Sequence, residues 1–258
     1  MHPIAFQFGS LTVHWYGVMT ALGFLAGLWT ASRRARLGGI APEQVLDLGL
    51  WLIVGGILGA RAWYVMTFWR EQFAADPFPE IFMIHHGGQV FYGGLLGALV
   101  VGIIYCRWKR IPVWPMTDAL APSIALGSVF GRIGCLLNGC CYGRECSLPW
   151  AIRFPYGHDS HPHPVHPTQV YDSLLNLIFY VGLAWLYRRK KFHGQVFATY
   201  LIGYAILRSA VEFFRGDYPP AQHYLGGWAT PAHLVSLFIL LAGAALLWLL
   251  PRNPMQRR

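Results

Sequence analysis

Gly131-Arg132-Ile133-Gly134-Cys135-Leu136-Leu137-Asn138-Gly139 closes an apolar run that begins near Thr117 and has the length of a bilayer crossing. A run of about 20 apolar residues spans the hydrocarbon core as a helix. An arginine inside such a run costs about 2.5–3.5 kcal/mol on insertion scales, so its charge answers to an anionic partner or substrate. The same reasoning applies to Arg208 and Glu212, which interrupt another apolar run four residues apart and so share one helix face. Together they point to a helical membrane protein that handles an anion within the bilayer, a lipid headgroup being the first candidate.

The rest of the chain agrees. Of its 258 residues 55% are hydrophobic and only 12% charged, about half the charged share of a soluble domain. The apolar runs predict an all-α, polytopic protein of seven transmembrane helices, at roughly 12–32, 45–69, 88–106, 117–137, 168–187, 194–214 and 229–250. They form a single transmembrane domain over 1–258, with a small extracytoplasmic head region in the loop 139–166. Gly23 with Gly27, Gly55 with Gly59, and Gly93 with Gly97 are small-residue pairs that let helices approach closely in lipid.

A net charge of +9 would suit a nucleic-acid partner, but the placement of the charge excludes one. Thirteen of the twenty Lys and Arg fall in four clusters. These are Arg33-Arg34-Ala35-Arg36, Arg107-Trp108-Lys109-Arg110, Arg188-Arg189-Lys190-Lys191, and Arg252 with Arg257 and Arg258. Each follows an odd-numbered span, the pattern of positive-inside topology. The N-terminus is thus expected outside, in the periplasm, and the C-terminus in the cytoplasm. Residues 1–32 carry no Asp, Glu, Lys or Arg, which predicts no cleaved leader. On this topology Tyr16, Tyr92, Arg132, Asn138, His166, Glu212 and Arg215 all fall toward the outer side, predicting a polar cavity near the outer leaflet.

Cys135, Cys140, Cys141 and Cys146 also fall there, but lack paired C-x-x-C spacing. Packing, or one disulfide between Cys140 or Cys141 and Cys146, is expected rather than a metal site. The tract His158, His161, His163, His166 is interleaved with proline and reads as a surface loop, as does His85-His86. Arg61, at mid-span, is either a structural ion paired with Asp47, Asp118 or a helix end, or part of the anion site. Asp118 is expected at a helix N-terminus.

In order along the chain, Pro3-Ile4-Ala5-Phe6, Trp15-Tyr16-Gly17, Gly88-Gln89-Val90-Phe91-Tyr92-Gly93-Gly94, Gly131-Arg132-Ile133-Gly134, Asn138-Gly139, Gly143-Arg144, His166-Pro167-Thr168-Gln169-Val170-Tyr171 and Arg208-Ser209-Ala210-Val211-Glu212-Phe213-Phe214-Arg215 resemble the prolipoprotein diacylglyceryl transferase family. The resemblance implies transfer of the diacylglyceryl group of phosphatidylglycerol to the lipobox cysteine of a prolipoprotein signal peptide. A thioether forms and glycerol phosphate leaves. It further implies a bacterial inner-membrane enzyme without a cofactor. Arg132 and Arg208 would stabilise the departing phosphate, with Tyr92 and His166 as further catalytic candidates. Tyr16, Arg61, Asn138, Gly143, Glu212 and Arg215 would bind or orient substrate. The family pattern has histidine at Tyr92, asparagine at Cys135 and glutamate at Cys140. Tyr92, His166 and an arginine-stabilised thiolate without a dedicated base therefore stand as alternatives for deprotonating the acceptor. A transporter or receptor for an anionic solute is the reading from another class, though no internal repeat supports it; a family paralogue with an altered acceptor is the third.

Overall fold

The computed structural model describes residues 3–9, 11–74, 78, 80–83, 87–216 and 230–250. His85-His86, the basic tail at 252–258 and most of the loop 215–228 lie outside the described residues. The chain divides into two compact units, Met1–Ala31 with Thr117–Arg258, and Ser32–Met116.

The described residues are mostly helical. They contain α1 (Trp15–Leu37), α2 (Pro42–Thr67), α3 (Phe91–Trp108), α4 (Val113–Asn138), α5 (Thr168–Arg189), α6 (Gln195–Glu212) and α7 (Pro231–Leu249). Five of them, α2, α3, α4, α5 and α7, are long and apolar enough to cross a membrane. Tryptophan, tyrosine, glycine and threonine dilute α1, and Arg208 and Glu212 dilute α6.

The expected all-α fold and first span need correction at the N-terminus. Residues 11–14 are not helical: β1 (Ile4–Phe8) pairs antiparallel with β2 (Leu11–His14), turning at Gly9 with φ of 59°. The alternation of Ile4, Phe6 and Phe8 with Ala5 and Gln7 carries this strand signal, which a hydropathy window averages away. α1 starts at Trp15, whose N–H bonds to Pro3 O at 2.9 Å.

In the unit Ser32–Met116, α2 packs along α3. Gly55 and Gly59 face Gly93 and Gly97 so closely that a Cβ on Gly59 or Gly97 would collide with the opposing backbone. In the other unit, Gly23 lets α1 meet α4, where an added Cβ would stand 2.9 Å from Phe130 Cβ. Thr30 Oγ1 and Ser123 Oγ join the same helices at 2.9 Å. α6 packs on α5 and α7. Leu95, Leu99 and Ile104 of α3 and Phe238, Leu241 and Trp248 of α7 are exposed. Apolar surface on this scale matches a lipid surround rather than water.

Asp118, fully buried in α4, sits at a helix N-terminus, but that of α6 rather than its own. Its carboxylate accepts from Gly194 N at 2.9 Å and Phe197 N at 3.0 Å and pairs with Lys190 Nζ at 2.9 Å. Two of the orphan amides of the α6 N-terminus are thereby satisfied.

Candidate active site

Arg132 stands two turns before the end of α4. Its Nε lies 2.7 Å from Oδ2 of Asp172, a buried residue of α5. Asp172 also accepts from Asn176 Nδ2, one turn further along α5, at 2.6 Å. Arg132 meets this carboxylate through Nε. The four N–H bonds on its two Nη atoms form the planar fork that suits a phosphate.

Arg208 Nη1 forms an ion pair with Glu212 Oε2 one turn away on α6. Glu212 is buried, and its other oxygen accepts from Thr230 Oγ1 at 2.7 Å. Thr230 in turn caps α7, exchanging contacts with His233 Nδ1 at 3.1 and 3.2 Å. A buried carboxylate with both oxygens engaged holds its arginine in one orientation.

Arg132 and Arg208 come together: both line one cavity of about 30 Å³, closed by Ser128, Asp172, Asn176, Tyr204 and Leu207. That space suits a water or two and is too small for a phospholipid headgroup. An entering phosphate must therefore widen this cavity, while each carboxylate keeps its guanidinium in place.

The remaining candidates fall in three places. Tyr16 lies against the Arg132 segment, its ring 3.2 Å from where a Cβ on Gly134 would be, and within electrostatic reach of Arg132. Asn138 ends α4, exposed, with its side chain beside the Cys140 thiol. Gly143, His166 and Arg215 meet in the loops. Gly143 forms an antiparallel bridge with Arg215, and its N–H donates to His166 O at 3.0 Å. A Cβ at Gly143 would stand 2.5 Å from His166 Cβ and 2.7 Å from Phe214 O, so only glycine fits there. The half-buried His166 ring sets Nδ1 3.2 Å from Tyr171 Oη, and Tyr171 accepts from Trp150 Nε1 at 2.8 Å. Arg215 is within electrostatic reach of Arg132.

Arg61 and Tyr92 belong to the other unit. Arg61 is buried, and every nitrogen of its guanidinium donates to backbone carbonyls: Ile81 at 2.9 Å, Gly87 at 2.8 Å, Gly88 at 3.1 Å and Glu80 at 2.5 Å. It also stacks near Tyr64 and Phe73 at 5.5 and 5.6 Å. It pairs with neither Asp47 nor Asp118 among the described residues; it fastens the loop before α3. Tyr92 lies in the first turn of α3, 55% exposed, with its ring 5.8 Å from that of Phe91.

Sequence reasoning missed Asp172, Asn176, Thr230 and His233. The signal for Asp172 was present: a carboxylate five positions into an apolar run, where an ionised group needs a partner.

Of the two alternatives for these cysteines, packing or one disulfide, the disulfide does not form. All five cysteines are free thiols, and Cys146 stands apart from a cluster of Cys135, Cys140 and Cys141.

These features define a class: a helical membrane protein with two arginines, each held by a buried carboxylate, on one internal cavity. The chain belongs to the prolipoprotein diacylglyceryl transferase family, whose profile matches residues 3–249. It is 38% identical to the phosphatidylglycerol–prolipoprotein diacylglyceryl transferase of Nitratidesulfovibrio vulgaris, over 97% of this chain and 93% of that protein. It is 36% identical to the protein of that name from Methylococcus capsulatus, over 95% and 94% of the two chains. With the one from Clostridium tetani it shares 35% identity, over 94% and 95%.

Proposed function

We propose that this enzyme transfers the diacylglyceryl group of phosphatidylglycerol to the lipobox cysteine of a prolipoprotein. The C–O bond between the diacylglyceryl group and phosphate breaks, a C–S bond forms, and glycerol phosphate leaves. The thiol proton passes to a base or to water. The observation that carries this reading is the shared cavity of Arg132 and Arg208, taken with the named activity of the relatives.

The phosphate gains negative charge as its ester bond breaks. Fixed donors aimed at developing charge in a low-dielectric site are worth about 2.7–4 kcal/mol each. Arg132 offers its Nη fork while Asp172 holds Nε. Arg208 is steered by Glu212, itself held by Thr230. Tyr16 and Asn138 flank the Arg132 segment and would hold glycerol or ester oxygens. Gly143 keeps His166 and Arg215 together, with Arg215 adding positive charge toward the headgroup. The acceptor thiol must become a thiolate to attack. Tyr92, at the family's histidine position, His166, or the arginine field without a dedicated base would bring this about. Arg61 contributes by ordering the segment that leads into α3.

In the membrane, all seven helices cross the bacterial inner membrane with the N-terminus periplasmic and the C-terminus cytoplasmic. Residues 139–166 form the extracytoplasmic head. Both substrates, phosphatidylglycerol and the signal peptide of the prolipoprotein, arrive from the membrane.

Complementation of a strain depleted of its own diacylglyceryl transferase tests the function. The gene is expected to restore growth and diacylglyceryl-modified lipoproteins. A stably expressed protein that restores neither would refute the reading.

A further inference from the structure

The loop that follows α4 carries a second chemical feature. Cys135, in the last turn of α4, and Cys140 and Cys141 just beyond it bring their Sγ atoms within 4.8 Å of one another. The Cys140 and Cys141 sulfurs are 3.8 Å apart. Metal–thiolate bonds of about 2.3 Å place sulfurs roughly 4 Å apart around a three- or four-coordinate ion. The observed spacing is close to that.

The backbone is arranged to hold this spacing. Gly139 turns out of α4 with φ of 82°, and Cys141 adopts φ of 64°, a left-handed conformation that non-glycine residues rarely take. Cys140 N donates to Cys135 O at 3.1 Å, closing the turn. Two buried side chains at the start of α5 then fasten the next two carbonyls. Gln169 Nε2 donates to Cys140 O at 2.7 Å, and Thr168 Oγ1 donates to Cys141 O at 2.7 Å. Strain at one residue, over-determined by its surroundings, is a mark of functional sites. Arg132, one turn before Cys135 and within electrostatic reach of Cys135 and Cys141, offsets thiolate charge.

We propose that Cys135, Cys140 and Cys141 form a three-thiolate site for one soft metal ion of the Cu(I) or Cd(II) class. Soft thiolates select such ions over Mg²⁺ or Ca²⁺. Each thiol releases its proton as it ligates. The C-x-x-C spacing that sequence reading looks for is absent because a helix end and a left-handed residue, rather than a regular loop, bring the sulfurs together.

The test is titration of the purified, reduced protein in detergent with Cd²⁺, followed by its thiolate charge-transfer absorbance. One equivalent is expected to saturate the signal. Cys135→Ser, Cys140→Ser and Cys141→Ser should each weaken binding about tenfold or more, and Cys106→Ser and Cys146→Ser should leave it unchanged. Size-exclusion profiles identify any variant that fails to fold; Cys140→Ser and Cys141→Ser, in the loop, keep the test open if Cys135→Ser does not fold. Absence of a one-to-one complex overturns the proposal, as does equal loss on replacing Cys146. Recovery of two of the three cysteines as a disulfide from membranes whose thiols were blocked at lysis also overturns it.

Discussion

Arg132 Nε and Asp172 Oδ2 lie 2.7 Å apart across α4 and α5, and the carboxylate is the more deeply buried partner. An exposed ion pair would be worth little. Here the carboxylate fixes which edge of the guanidinium faces the cavity, and so which donors remain for a phosphate.

Asp172→Asn should therefore lower transfer by about 100-fold, the scale of a small misplacement of a catalytic group, while the protein still folds. Asparagine keeps the shape and one acceptor but not the charge. Steady-state kinetics of thioether formation check this, with the loss expected in kcat more than in KM. Unchanged kinetics would make the pair a packing feature.

Asp118 provides the contrasting case. Its carboxylate caps α6 and pairs with Lys190, away from the Arg132–Arg208 cavity lining. Removing one partner of a buried pair costs about 3–5 kcal/mol. Asp118→Ala should lower the thermal midpoint in detergent markedly. Turnover per folded molecule, measured at low temperature, should stay within about twofold of the parent.

Much of this arrangement is legible in the chain itself. Each apolar run contains a long helix, and Arg132, Arg208 and Glu212 stand out because a charge in an apolar run is expensive. The β1–β2 hairpin was hidden because the strands are short and border a helix of similar hydropathy. Asp172 was hidden by the strength of the neighbouring His166–Tyr171 segment. The thiol cluster was unreadable for another reason: sequence spacing does not reveal that Cys141 turns back through a left-handed conformation.

Topology is open to direct test. Arg36 and Arg189 are exposed, whereas Arg34 of the same clusters is buried and Lys190 is engaged with Asp118. Arg36→Cys and Arg189→Cys, in a background lacking the native cysteines, should react with an impermeant maleimide only after the membrane is opened. Labelling of either in intact spheroplasts would reverse the orientation.

Tyr92 separates the proposals for thiol activation. If its hydroxyl takes part, Tyr92→Phe should lower kcat about tenfold or more and Tyr92→His should recover activity, since histidine's reference pKa of about 6.5 suits proton transfer at neutral pH. Equal activity of Tyr92→Phe and the parent would assign proton acceptance to His166 or to the arginine field alone.

The central claim is that Arg132 and Arg208 stabilise the departing phosphate together, and its most direct measurement is the rate of thioether formation between phosphatidylglycerol and a lipobox peptide in proteoliposomes. Arg132→Ala and Arg208→Ala are each expected to lose at least about 100-fold, consistent with one well-placed donor. Arg132→Lys and Arg208→Lys should also fail substantially, because a point charge cannot reproduce a planar fork. Near-parental rates in either folded alanine variant would contradict the account.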